Sequence, residues 1–273
     1  MKLSFFALGW RTLWRDVRSG ELRLLILAVT LAVAALTAVG FFADRLQGGL
    51  QRDARQLLGG DAVISSDNKP PAAFEERARA LGLQVVHTLG FPTMARASDA
   101  QGGAAKLVAL KTVEAGYPLR GTLRISPSPD TPDTPTKDIP APGQAWVDAA
   151  LLDAIGIQVG DPILLGDVQL KVGAILVIEP DRGGGFMNFA PRVMLNEADI
   201  AATGLIQPAS RLSYRMAVAG PEAAVKTYVE WADAQVKSSV RGVRVESLES
   251  GRPEMSQTLD RANKFLSLVA LLA

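Results

Sequence analysis

The sequence predicts a membrane-anchored α+β protein. It has one N-terminal transmembrane helix, a large water-soluble α+β domain of two small subdomains, and the start of a second transmembrane helix cut short by the chain end. Three observations predict this. The run Leu24–Ala43 is twenty residues without a charge. From residue 44 to 260, helical and strand-like amphipathic patterns are interleaved without βαβ regularity. The chain then ends on FLSLVALLA, in which Ser267 is the only polar residue.

Composition fits one strong apolar segment on a mostly soluble chain. Of 273 residues, 48% are hydrophobic and 21% charged, and the mean hydropathy is +0.16. That is too polar for a polytopic protein. A formal charge of +1 argues against a nucleic-acid partner held by bulk electrostatics. No cysteine is present, so there is neither a disulfide framework nor thiolate chemistry.

Residues 1–23 form the leader. Phe6, Trp10, Leu13 and Val17 recur at helical spacing, with Arg11, Arg15 and Arg18 elsewhere on the turn. The pattern predicts an amphipathic helix on the cytoplasmic membrane surface, with Trp10 and Trp14 at headgroup level. Residues 24–43 form the first span. At about 1.5 Å per residue it is roughly 30 Å long, a bilayer's hydrocarbon thickness. It exceeds the hydrophobic core of a cleaved signal peptide. Lys2 and four arginines precede it, against Arg45, Arg52 and Arg55 after it. The positive-inside rule therefore favours a cytoplasmic N-terminus.

The soluble region is 44–260. Its first helix continues the span, carries Leu46, Leu50, Ala54 and Leu57 as a narrow stripe, and stops at Gly59-Gly60. DAVISS reads as a strand. A helix opened by Pro71 buries Phe74, Ala78 and Leu81. LQVVHTLGFPTMARAS and AKLVALKTV read as strands joined at Gln101-Gly102-Gly103. ISPSPDTPDTPTKDIPAPG is too rich in proline, serine and threonine to supply a core and reads as an exposed loop. WVDAALLDAIGI reads as a helix with Val147, Leu151 and Ile155 inward. A hairpin turns at Gly166-Asp167. RLSYRMAVAG alternates as a strand, PEAAVKTYVEWADAQV is a helix started by Pro221, and GVRVESL is a strand. A last helix from Pro253 carries Met255, Leu259, Ala262 and Leu266. It loses its polar face at 261–273, the expected beginning of the second span. The two stripes would pack the outgoing and returning stalks together.

Catalytic, cofactor and metal sites are not expected. His87 is the sole histidine, and without cysteine it makes a poor metal site. Glu75-Glu76 reads as a solvated face. DRGGGF lacks the helix that a phosphate cradle needs directly after it, and no Walker motif occurs. The stretch reads instead as a loop with exposed apolar residues, the kind of patch that serves as a contact site.

The order of these parts resembles the FtsX/MacB-type permeases of ABC systems. Three blocks, SGELRLLILAVTLAVAALTAVGFFADRL, RQLLGGDAVISS and IEPDRGGGFMNFAPRVMLNEADIAATGLIQPASRLSYR, look like the YbbP subgroup. The resemblance implies a non-catalytic inner-membrane subunit with a MacB-like periplasmic domain. It implies a separate cytoplasmic ATPase of the YbbA-like kind, a link to a periplasmic esterase of the thioesterase type, and contact with membrane lipid. It implies mechanical work: ATP-driven motion of helices that reshapes the periplasmic domain for export or extraction of a hydrophobic, lipid-like compound. Asp181, Arg182, Gly183, Phe186, Phe189, Pro191 and Arg192 fall in a family block and make a candidate partner-contact loop. The rival expectation is a single-span anchored periplasmic binding or scaffold protein.

Overall fold

The computed structural model describes residues 9–10, 14–15, 21–183, 189–207, 210–238 and 242–247. Most of the leader, Phe186 and the stretch expected to form the returning stalk and second span lie outside them. The chain divides into two units, 1–51 with 253–273, and 52–252.

In the first unit, residues 9–10 and 14–15 are helical, with Trp10 and Trp14 exposed. Helix α1 (Glu21–Leu58) begins here. Among the described residues it is the one helix long and apolar enough to cross a membrane, and its Leu24, Leu31 and Phe41 are exposed. The hydroxyls of Thr30 and Thr37 donate back to the carbonyls of Ile26 and Val33. Neither polar group is therefore left unpaired along an apolar surface. Arg45 lies 5.0 Å from the Phe41 ring centroid, closing the apolar stretch with a cation–π contact.

The second unit starts with the last turns of α1. β1 (Ala62–Ser66), α2 (Ala72–Ala80), β2 (Gln84–Ala97) and β3 (Ala105–Val113) follow. Then come β4 (Leu123–Ser126), β5 (Thr134–Thr136), β6 (Gln144–Val147), α3 (Ala149–Ile155), β7 (Pro162–Leu165) and β8 (Val168–Ile178). β9 (Arg192–Asn196), α4 (Glu197–Ile200), β10 (Ser213–Ala219), α5 (Glu222–Ser238) and β11 (Val243–Ser247) complete it.

Pairing runs β11-β1-β10-β2-β3-β9-β6-β8-β4-β5, and β7 joins β2 to β8. That last pairing closes a ring of six strands, β2-β3-β9-β6-β8-β7, and so removes the open edges of that part of the sheet. Alternate residues fill the ring: Phe91 and Ala95 on β2, Val108 and Leu110 on β3, Val193 and Leu195 on β9. Leu151, Leu152 and Ile155 of α3 join the same core. The other lobe is a sandwich. β11, β1, β10 and the first half of β2 form an antiparallel sheet, with α2 and α5 laid on Ile64, Met216 and Val218. Phe74 meets Trp231 edge-on at 5.3 Å, and the buried Tyr228 hydroxyl donates to the Phe74 carbonyl.

The α+β class agrees with the sequence reading. The expected subdomains appear as two lobes sharing β2, whose fourteen residues serve both, so residues 52–252 form one unit. Two segments differ from expectation. The helix read over WVDAALLDAIGI starts only at Ala149. Trp146 and Val147 are strand, because Val147 is needed in the ring wall. The proline-rich stretch is not loop throughout. Its start belongs to β4, and Thr134–Thr136 forms edge strand β5, where proline removes no needed donor. The Arg124–Asp133 ion pair pins it.

Candidate functional site

Because β3 alternates, Leu110 points into the ring and Lys111 points out. Lys111 is nonetheless buried, under the chain that follows β3 and the segment that follows β8. A lysine is seldom buried without partners, and three side chains supply them. Lys111 Nζ donates toward Glu179 Oε1 at 2.8 Å, both Asp181 carboxylate oxygens at 2.9 Å, and Tyr117 Oη at 2.8 Å. The Tyr117 hydroxyl in turn donates to Asp181. The other Glu179 oxygen accepts from Arg192 Nε at 2.6 Å, from the neighbouring strand β9. Lys111 and Arg192 therefore face Glu179 and Asp181 in a neutral buried set. Beside it, Arg182 grips Asp148 through two bonds of 3.0 and 2.6 Å, and Asp148 also accepts the Arg192 amide at 2.8 Å.

The electrostatics follow. Burial pushes the Asp181 carboxyl up. The Lys111 charge and the hydrogen bonds from Tyr117 and Lys111 outweigh that, and hold it below its ordinary value. Burial, reinforced by the Asp181 and Glu179 charges, drives the Tyr117 hydroxyl well above its ordinary value, so it stays a donor.

The set lies against the end of α1. Gly59, at φ 73°, ends the helix, and a Cβ there would sit 3.0 Å from that of Asp181. Two residues on, Asp61 is 6% exposed. It accepts Arg120 Nε at 2.9 Å, Arg120 Nη2 at 2.6 Å and the Gly220 amide at 3.0 Å, while Arg55 Nε approaches to 3.6 Å. The Arg120 amide donates to the Gly59 carbonyl at 3.1 Å. Gly121 lets the chain pass Pro180: at φ 86°, its Cβ would lie 2.8 Å from that ring. Residues 114–121 thus tie three things together: the last turn of α1 through Arg120, the ionic set through Tyr117, and β3 by continuity.

The candidate loop residues divide. Asp181 and Arg192 are buried in the ionic set, and Arg182 is half-buried on Asp148. Pro191 is half-buried, and its carbonyl accepts the Ala109 amide. Gly183 and Phe189 are exposed, Phe189 at 87%. Lys111, Tyr117, Glu179, Asp148, Asp61 and Arg120 are absent from the sequence reading. One signal was available: Lys111 interrupts the apolar strand AKLVALKTV on the way into a core.

His87 takes part in a second polar cluster. Its Nδ1 is 3.0 Å from Glu114 and its Nε2 3.4 Å from Glu75, which also binds Arg79. The hydrogen bond to Glu114, opposed by burial and aided by the charges of Glu114, Glu75 and Glu197, raises the imidazole above its ordinary value. A raised folded-state pKa gives stability that is complete below the unfolded value, about 6.5. That stability is lost as the pH climbs through the folded value. Urea unfolding of wild type and His87→Gln should therefore differ more at pH 6 than at pH 8; a gap that widens with pH would contradict the assignment.

No family model matches the chain. A protein of Escherichia coli (strain K12), described as an uncharacterized ABC transporter permease, YbbP, is 33% identical over 262 residues, 96% of this chain. The chain spans 31% of that relative's length. Among solved structures, the periplasmic region of MacB from Actinobacillus actinomycetemcomitans aligns with 76% of this chain and 95% of that one, at 9% identity and a TM-score of 0.43. The extracellular domain of the noncanonic ABC-type transporter YknZ from Gram-positive bacteria aligns with 67% and 98%, at 10% identity and a TM-score of 0.41. Over nearly its whole length, this chain is homologous to part of an ABC transporter permease of the YbbP type.

Proposed function

We propose that the chain is part of the permease subunit of a bacterial ABC transporter and works mechanically. Helix α1 crosses the inner membrane with its N-terminus in the cytoplasm, and residues 52–252 operate in the periplasm. A separate YbbA-like ATPase supplies the energy. The periplasmic part changes shape to export or extract a hydrophobic, lipid-like compound, in concert with an esterase partner. Gly183 and Phe189 of the candidate loop are the exposed groups offered for that contact. The observation that carries the reading is the fastening of the α1 terminus. Asp61 and Gly59 connect its last turn to the ionic set on the ring wall, so movement of the helix is passed to a closed, stiff body.

Residues 1–273 contain no cysteine, so a spin label introduced among them competes with no native thiol of this chain. Spin labels on a cysteine introduced at the exposed Lys106 of the full-length permease, assembled with its ATPase in nanodiscs, and on lipid headgroups report on the position of the domain over the membrane. Their distance distribution is expected to shift between nucleotide-free and ATP-trapped states. Identical distributions in the two states would sink mechanical coupling.

A further inference from the structure

The loop that fastens α1 is also the wall of a groove. A cavity of about 580 Å³ lies between the start of β2, residues 115–121 and the edge near β5. That volume is in the range of small-molecule sites. Val85, Pro118 and Leu119 give it a short apolar floor, beside the polar Gln84 and Thr136. Arg79 and Lys137 are the charged residues lining it, and no aspartate or glutamate does. Glu75 holds Arg79 through Nε and Nη2, so Arg79 presents a partly neutralised edge. Lys137 is exposed and has no ion-pair partner among the described residues.

A short apolar floor with cationic groups and no acidic ones fits one class of molecule. We infer that this groove binds an anionic amphiphile, its chain along Val85, Pro118 and Leu119 and its carboxylate or phosphate head at Lys137 and Arg79. A cationic amphiphile would gain the same floor but meet like charge. A bare anion would leave the floor wet.

The position gives binding a consequence. Ala115, Gly116, Tyr117, Pro118, Leu119 and Gly121 line the groove. The same stretch sends the Tyr117 hydroxyl into the ionic set and Arg120 onto Asp61. An occupant that immobilises this wall therefore immobilises both fastenings of α1. Occupancy and helix position are linked in both directions, as any two sites sharing one two-state element must be. Assigning the occupant as the transported compound rests on the transport reading; the binding itself does not, and its test needs no ATPase, so the two fail separately.

The test is hydrogen–deuterium exchange on the full chain in zwitterionic nanodiscs, with decanoate, decyl phosphate, decyltrimethylammonium or inorganic phosphate. At about four times the dissociation constant, amides of Ala115, Gly116, Tyr117 and Leu119 are expected to exchange about fivefold more slowly with either anionic amphiphile. Ala115→Trp, which fills the groove from an exposed position, is expected to abolish that protection, and Lys137→Glu to weaken binding about fivefold. The proposal is overturned by no protection with either anionic amphiphile, or by protection that survives Ala115→Trp. Equal protection by decyltrimethylammonium would mean partition of the alkyl chain alone. Equal protection by inorganic phosphate would mean a bare anion site. Either result also overturns it.

Discussion

Replacing Lys111 with methionine is expected to lower stability by about 3–5 kcal/mol, the cost of leaving buried charges without their partner. The side chains of Glu179 and Asp181 are 0% and 5% exposed, so neither can turn to water. Arg192 still serves Glu179, but Asp181 keeps only Tyr117 among its present hydrogen-bond donors. The pH dependence separates this from simple loss of packing. In the wild type, the Asp181 carboxyl lies below its ordinary value, so its contribution is present above the unfolded pKa and lost as the pH falls through the folded one. In the variant, burial acts unopposed by the lysine charge and pushes that carboxyl up, so acid relieves the penalty by protonating it. Urea unfolding of the full chain, followed by tryptophan fluorescence, should show the gap between wild type and Lys111→Met narrowing from pH 7 toward pH 4. A gap of under about 1 kcal/mol at pH 7, or one that widens in acid, would show that the set does not hold the ring wall to the helix terminus.

Asp61→Ala is expected to cost about 2–3 kcal/mol, less than Lys111→Met, because its partners are not all stranded. The side chain of Arg120 is 35% exposed and can rehydrate, whereas Arg55 Nε is itself buried. The Gly220 amide loses its acceptor outright. The more telling effect is local. With the Asp61 carboxylate gone, the end of α1 keeps the Arg120–Gly59 backbone bond, the bond from the residue-61 amide to the Val218 carbonyl and the contact with Asp181. Amide exchange at Arg55–Leu58 should accelerate well beyond the global destabilisation, while the ring strands keep their protection. Asp61→Asn, which keeps one acceptor, should fall between. In the assembled transporter, Asp61→Ala should shrink the nucleotide-dependent shift in the distance from Lys106 to the lipid headgroups. Unchanged exchange in the last turn would show that Asp61 does not fasten the helix.

How much of this was legible in the sequence depends on the range of the interactions. β10 announces itself because Tyr214, Met216 and Val218 alternate against Ser213, Arg215 and Ala217, and only one face is covered. α2 is legible from Pro71, Phe74, Ala78 and the positive-φ Gly82. The ring is not. Its closure rests on Ala95–Ala97 meeting Ile163–Leu165, and on parallel pairings such as β3 with β9, which no local pattern encodes. The ionic set fails to show for the same reason: Lys111 meets Glu179 and Asp181 across 68 and 70 residues. In a linear reading, Asp181 and Arg192 look like loop polarity. They owe their burial to β3 and β9 lying side by side with Lys111 and Arg192 on the outer face. The Val147 boundary was misread because Val147, Leu151 and Ile155 do share a helical spacing; only the ring's need for a wall residue decides otherwise.

The strand common to both lobes has a consequence for how such a protein diversifies. Residues 84–90 complete the sandwich and residues 91–97 complete the ring. A gene exchange that imported one lobe alone would have to cut through this strand, leaving raw backbone edges on both fragments. Inheritance should therefore treat the lobes as a single cassette, with novelty confined to what hangs from it: the connecting loops and the lining of the groove.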